Sequence, residues 1–316
     1  METFEPKPTS SSDRNQNNRG DRKVFFGDSL LNETTPTWKK ASLFVMGFLG
    51  LQAIAMIVQI IMMVTPLFDK NSQSFTLLGQ TLINFISYVL LLGVLLLFVF
   101  IGSDKMAKKI IMPFKKKETY LYGALAFLLI LLINLVFSFL SNLIPDSSSN
   151  ANQAGIETMM NTYPVLVILM TVIIAPICEE LTYRAGLLDL VGKRNRLLGI
   201  IISSIIFGLI HFDYTPILNL LVPDQGYYQG GEFIRYTAEE LASLKETYLH
   251  SLYIELINFP VYLLSGITLA LAYCHTGKLS TSMFAHFLVN AFSAISFFAS
   301  RSGGNTSESI FRIFLK

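Results

Sequence analysis

The chain of 316 residues is 52% hydrophobic and only 15% charged, with a mean hydropathy of +0.51, a balance that excludes an ordinary soluble domain. A formal net charge of +2 is too small to mark a binder of nucleic acid or of other acidic polymers. The two cysteines, Cys178 and Cys274, lie in or beside apolar runs, which argues against a disulfide framework and for small packing residues.

Residues 1–37 are rich in Ser, Asn, Asp, Arg and Pro and contain no apolar run, so they read as a disordered cytoplasmic tail. The short apolar region that a cleavable signal needs near its start is missing, and the first apolar span is expected to stay as an anchor. A hydrocarbon core of ~30 Å takes about 20 helical residues to cross. Seven segments approach that length: Ala41 to Thr65, Leu77 to Ile101, Tyr120 to Leu143, Tyr163 to Leu190, Leu197 to His211, Tyr253 to Tyr273 and Leu279 to Ala299. The fifth is short for a span; a continuation to about Leu221, across Pro216, and an eighth helix in that region are both left open. The expectation is therefore an all-α, polytopic transmembrane bundle of about seven spans. A scaffold occupies 38–150, a catalytic core 151–300 and a short C-terminal tail 301–316.

Basic residues concentrate in the tail, in the loop from Ser103 to Thr119 and at the turn from Lys193 to Arg196. The positive-inside rule places these in the cytoplasm, with the N-terminus, and leaves the C-terminus outside. Trp38, Lys39 and Lys40 are expected to anchor the inner interface. The segment from Pro145 to Thr162 has acidic and amide residues but no basic one, as a translocated loop should. The region from Phe212 to Leu252 is acidic and Tyr-rich, with turn signals at Gly226, Gly230 and Gly231. It reads as a lid, a docking surface or a plain outer loop.

Ionisable side chains at bilayer depth cost about 2.5 to 3.5 kcal/mol each on insertion scales and are functional candidates by default. The fourth span reads Ala175-Pro176-Ile177-Cys178-Glu179-Glu180-Leu181-Thr182-Tyr183-Arg184. Glu180 and Arg184, four apart, share a helical face and are expected to pair. Glu179, turned about 100° away, is the carboxylate without a local partner. The fifth span ends Phe207-Gly208-Leu209-Ile210-His211, and the seventh contains His286-Phe287-Leu288-Val289-Asn290, whose His and Asn again share a face. If spans four and five form a hairpin turning near Asn195, Glu179 and His211 are each 16 residues from the turn and lie at similar depth. His286, seven residues after Leu279, meets them only if its helix packs deeper or the hairpin protrudes.

A carboxylate and a neutral imidazole on one cavity can hold a water and take its proton as it attacks a carbonyl. A second His and an Asn amide can donate to the resulting oxyanion. The same Glu179, His211 and His286 could instead ligate one zinc ion, though no H-E-x-x-H is present and Asn290 is a poor zinc ligand. The cofactor is thus none or one zinc, with a metal-free glutamate mechanism preferred. No G-x-S-x-G elbow occurs.

In order, Glu-Glu-x-x-x-Arg at 179–184, Phe-x-x-x-His at 207–211 and His-x-x-x-Asn at 286–290 resemble the motifs of the CPBP family. These are the CAAX proteases and bacteriocin-processing enzymes also called Abi proteins, and they include the eukaryotic endopeptidase that trims prenylated CaaX proteins. The resemblance covers roughly Tyr163 to Ala299. It implies an all-helical intramembrane endopeptidase in which Glu179 and His211 activate water and His286 and Asn290 form an oxyanion site, with Glu180, Arg184 and Phe207 in support. Family members are described both as metalloproteases and as glutamate proteases. Ala185 departs from the pattern, standing where the family often has Gly, with Gly186 one position later. The partners implied are membrane lipid, a membrane-associated peptide or protein substrate, and a regulatory membrane protein, with no nucleic acid. The location implied is a bacterial plasma membrane, and bacteriocin self-immunity is one role. Two rival readings are a non-proteolytic scaffold that binds a sensor kinase, a cell-wall enzyme or a bacteriocin, and a proton-coupled transporter, which the lack of an internal repeat disfavours.

Overall fold

The computed structural model describes residues 34–142, 151–223, 225–229 and 232–302. Most of the expected N-terminal tail and of the C-terminal tail lies outside the described residues, as do 143–150. Helices dominate what is described. They are α1 (Thr37–Met62), α2 (Leu77–Phe100), α3 (Met106–Ile111), α4 (Lys117–Asn142), α5 (Ala151–Thr162), α6 (Pro164–Val191), α7 (Arg196–Leu209), α8 (Thr215–Leu221), α9 (Ala238–Thr276) and α10 (Leu279–Ser302). Two small antiparallel hairpins interrupt them. One pairs β1 (Phe68–Asp69) with β2 (Ser74–Phe75), and the other pairs β3 (Gly226–Gln229) with β4 (Glu232–Arg235).

Six of these helices, α1, α2, α4, α6, α9 and α10, are long and apolar enough to cross a membrane. The chain is an all-α, polytopic integral membrane bundle. The fifth expected segment is α7, which has 14 residues, about 21 Å at ~1.5 Å per residue. It does not run on to Leu221, because the chain turns after Leu209 and restarts at Thr215 with Pro216 in the first turn of α8, a position proline tolerates. The region expected to be a loop from Phe212 to Leu252 is corrected. It folds as α8, the β3–β4 hairpin and the first turns of α9. Thr237 and Glu240 form a reciprocal capping box that starts α9 well before its apolar stretch. With 39 residues, α9 is about 58 Å long at ~1.5 Å per residue, almost twice a hydrocarbon core. It ends at Gly277, whose φ of +64° lies in the left-handed region that favours glycine. The translocated segment expected at 145–162 contains α5, from Ala151 onward.

Small residues let α6 meet its neighbours. A Cβ on Gly47 of α1 would fall 1.8 Å from Thr182 Oγ1, and one on Gly186 of α6 would fall 2.8 Å from the Phe44 backbone nitrogen. The α1–α6 crossing therefore depends on both glycines, and Gly186, one place beyond the family position, makes the close approach. Of the three expected interface anchors only Trp38 is exposed. Lys39 is buried and pairs with Asp104 at 2.6 Å, also donating to the Ile101 carbonyl at the end of α2; Lys40 is buried too. Asp104 and the open carbonyl offer Lys39 a charged and polar cage that water would otherwise supply. At the same end of the bundle, buried Asp189 accepts from Arg196 (2.7 Å) and Tyr273 (2.5 Å), tying α6, α7 and α9 together.

Candidate active site

Four polar residues of the three motifs line one cavity of about 570 Å³ inside the bundle: Glu179, His211, His286 and Asn290 all face it, with Tyr183 and Phe207. The depth question raised by the sequence has a structural answer. The first four residues of α10, Leu279 to Ser282, are almost fully buried, so this helix begins inside the bundle and carries His286 up to the level of α6.

Glu180 and Arg184 form the expected i,i+4 pair, Nε to Oε2 at 3.3 Å, with both side chains fully buried. Here α6 is widened into a π-helix over Glu180–Leu188, yet the spacing still brings the two together. Arg184 also lies over the Phe207 ring at 4.7 Å. His286 reaches both carboxylates: its Nδ1 is 3.1 Å from Glu180 Oε1 and its Nε2 is 3.6 Å from Glu179 Oε2. Glu180, paired with Arg184, thus faces Nδ1, and Nε2 is the nitrogen directed to Glu179. Glu179 Oε2 is buried and has no hydrogen-bond partner among the described residues. Such an atom normally marks a place for water or a ligand.

His211 stands in the turn just past the end of α7, where its own N–H bonds back to the Gly208 carbonyl. Its ring Nδ1 donates to the Phe207 carbonyl at 2.8 Å. A carbonyl cannot donate, so in the neutral ring Nε2 is the basic nitrogen. Tyr262 of α9 stacks flat on the imidazole, with centroids 4.6 Å apart and planes 13° from parallel. Phe207 contacts both imidazoles, at 4.8 Å from His211 and 5.9 Å from His286.

Asn290 has a backbone partner that the motif does not reveal. Residues Leu169–Ile174 of α6 are also π-helical, and the Ala175 N–H bonds to the Met170 carbonyl five residues back. The next bond in that register, from residue 176 to the Thr171 carbonyl, is impossible because Pro176 has no N–H. Asn290 Nδ2 donates to the Thr171 carbonyl at 2.7 Å and fills the gap. One amide hydrogen is spent there, and an amide nitrogen has two.

As a metal centre the group fits poorly. Among the described residues no three His, Cys, Asp or Glu side chains are disposed to hold a metal ion.

Sequence reasoning treated the N-terminal helices as scaffold and missed their polar contribution. Gln52 of α1, Asn84 of α2 and Asn134 of α4 line the same cavity, as does Asn258 of α9. The available signal was an amide at bilayer depth in each helix, which a search for ionisable groups passes over. Also missed was Glu255 of α9. Its carboxylate accepts from the Ala151 N–H (3.0 Å) and the Asp213 N–H (3.2 Å), joining the start of α5, which borders the cavity, to the segment after His211.

The fold and the cavity define a class, a helical membrane bundle with a buried carboxylate–imidazole cluster. Residues 161–292 match the family model described as "Type II CAAX prenyl endopeptidase Rce1-like", which bears out the resemblance to the CPBP and CAAX proteases. An uncharacterized protein of Mycoplasma capricolum subsp. capricolum is 26% identical over 163 residues, 48% of this chain and 47% of that relative. The chain thus spans about half the length of the curated relative it matches. No solved structure matches the chain.

Proposed function

We propose that the protein is an intramembrane endopeptidase of CAAX-protease type, cleaving a peptide bond of a membrane-associated peptide or protein. The observation that carries this reading is the meeting of His286 with both carboxylates of α6, in a cavity that His211 and Asn290 also face. In the proposed reaction, a water in the cavity gives hydrogen bonds to Glu179 and to His211 Nε2, and its oxygen attacks the scissile carbonyl carbon. Glu179 takes the proton and later passes it to the leaving amine as the C–N bond breaks. His286 Nε2–H and the second amide hydrogen of Asn290 stabilise the oxyanion, at about 2.7 to 4 kcal/mol per donor where water is excluded.

The His286 ring lies between Glu179 and Glu180, and the buried Arg184 pairs with Glu180. His211 must be neutral to accept the hydrogen bond from the water. The amides of Gln52, Asn84 and Asn134 would hold the substrate main chain. A bacterial plasma membrane, with the N-terminus cytoplasmic, and a role in bacteriocin processing or self-immunity complete the proposal.

The test is cleavage of a quenched-fluorescence peptide library by the full chain reconstituted in liposomes. Glu179→Gln and His211→Ala should each lose 10²-fold or more in rate, within the ~10²–10⁴ range of a general base, while folding is unchanged. Full activity of Glu179→Gln would overturn the mechanism. A self-immunity phenotype that survives Glu179→Gln would instead favour a docking role.

A further inference from the structure

A second cavity lies behind the two helices that carry Glu179 and His286. It is an apolar cleft of about 470 Å³, within the ~300–1,000 Å³ range of ligand sites. Val99 of α2, Ile110 of α3, Phe114, Pro176 and Ile177 of α6 and Phe287 of α10 line it, and it shares no lining residue with the polar cavity. Phe287 is partly exposed, as are Phe100, Ile111 and Tyr120 at its borders, so the cleft opens to the hydrocarbon around the bundle.

The short segment that forms one wall also carries the densest positive charge of the described chain. In α3 and the turn after it, Met106 and Ile110 are buried, while Lys105, Lys108, Lys115, Lys116 and Lys117 are exposed. Lys109 is engaged by the Thr34 hydroxyl and the Asp104 carbonyl. The nearby acidic groups are already neutralised: Asp104 pairs with Lys39 and Glu118 with Lys278. An apolar slot opening to lipid, whose wall residues Ala107 and Phe114 adjoin the exposed Lys108 and Lys115 in the chain, matches a molecule with a hydrocarbon tail and an anionic head.

We propose that this cleft binds an anionic glycerophospholipid of the surrounding leaflet, with one acyl chain against Phe114, Ile177 and Phe287 and the phosphate head at Lys108, Lys115 and Lys116. The bound chain would brace α6 and α10 from the side opposite the catalytic cavity. This site is independent of the peptidase reading and stands or falls by binding alone.

The chain has one tryptophan, Trp38, which makes a direct probe simple. A full-length Trp38→Phe/Phe114→Trp variant is titrated in micelles with phosphatidylglycerol or phosphatidylcholine carrying the same brominated acyl chains. Phosphatidylglycerol should half-quench the new tryptophan at a lipid fraction ~10-fold lower than phosphatidylcholine, and added salt should shrink the gap. Adding Lys108→Gln/Lys115→Gln/Lys116→Gln should abolish the preference and leave quenching by phosphatidylcholine unchanged. Native mass spectrometry of the unaltered chain should retain phosphatidylglycerol adducts over phosphatidylcholine ones. Equal quenching by the two lipids, which any apolar tail would give, overturns the proposal. So does a preference that survives the triple lysine substitution.

Discussion

Removing Arg184 tests whether the buried ion pair holds the carboxylate–imidazole cluster in place. The Arg184 Nε lies 3.3 Å from Glu180 Oε2. At an effective dielectric of ~20 two unit charges at that distance attract by about 5 kcal/mol. Desolvation offsets much of this in the intact pair, but deleting one partner strands the other, which typically costs ~3–5 kcal/mol. Arg184→Met should therefore destabilise the protein by about 3 to 5 kcal/mol, measured by reversible unfolding in mixed micelles. Glu180→Gln/Arg184→Met, which leaves no stranded charge, should recover at least half of that loss. Activity should not recover in the double variant, since the amide that replaces the Glu180 carboxylate cannot fix the His286 proton as a charged acceptor does. Additive losses in the two single variants, with no recovery in the double, would refute the reasoning.

Asn290→Ala leaves the Thr171 carbonyl without a donor and should cost ~1–3 kcal/mol; adding Pro176→Ala, which restores a backbone N–H, should regain stability but not the lost cleavage rate. Tyr262→Leu removes the flat stack on His211 and should lower kcat several-fold with KM little changed, since the ring positions a base and does not touch substrate in the proposed pose. The rate should fall in acid as His211, whose pKa burial holds below the usual imidazole range, gains a proton; a rate that stays level through that range would contradict its role as a neutral acceptor.

How much of this was legible follows from the kind of signal each residue gives. Hydropathy is summed over about 20 neighbours, so α1, α2, α4, α6 and α10 were readable to within a few residues. The Glu180–Arg184 pair is local to one helix, and its spacing foretold the contact. Region 212–252 was misread because a polar helix in water leaves no apolar run, and only the capping box at Thr237 marks where α9 begins. Whether α7 ran on to Leu221 stayed open in the sequence because Pro216 is compatible with both a kink and a fresh helix start.

The sequence by itself determined that the chain is a membrane bundle and which few polar side chains must find partners inside it, because an ionisable group in an apolar helix stands out without any coordinates. Only the tertiary structure decided that His286 touches both carboxylates, that Asn290 fills the carbonyl left open by Pro176, and that Gln52, Asn84 and Asn134 share the cavity. Those contacts depend on the depth at which α10 starts and on how closely α1 crosses α6 at Gly47 and Gly186. Helix depth and crossing are set by packing between segments far apart in the chain, which no local pattern encodes.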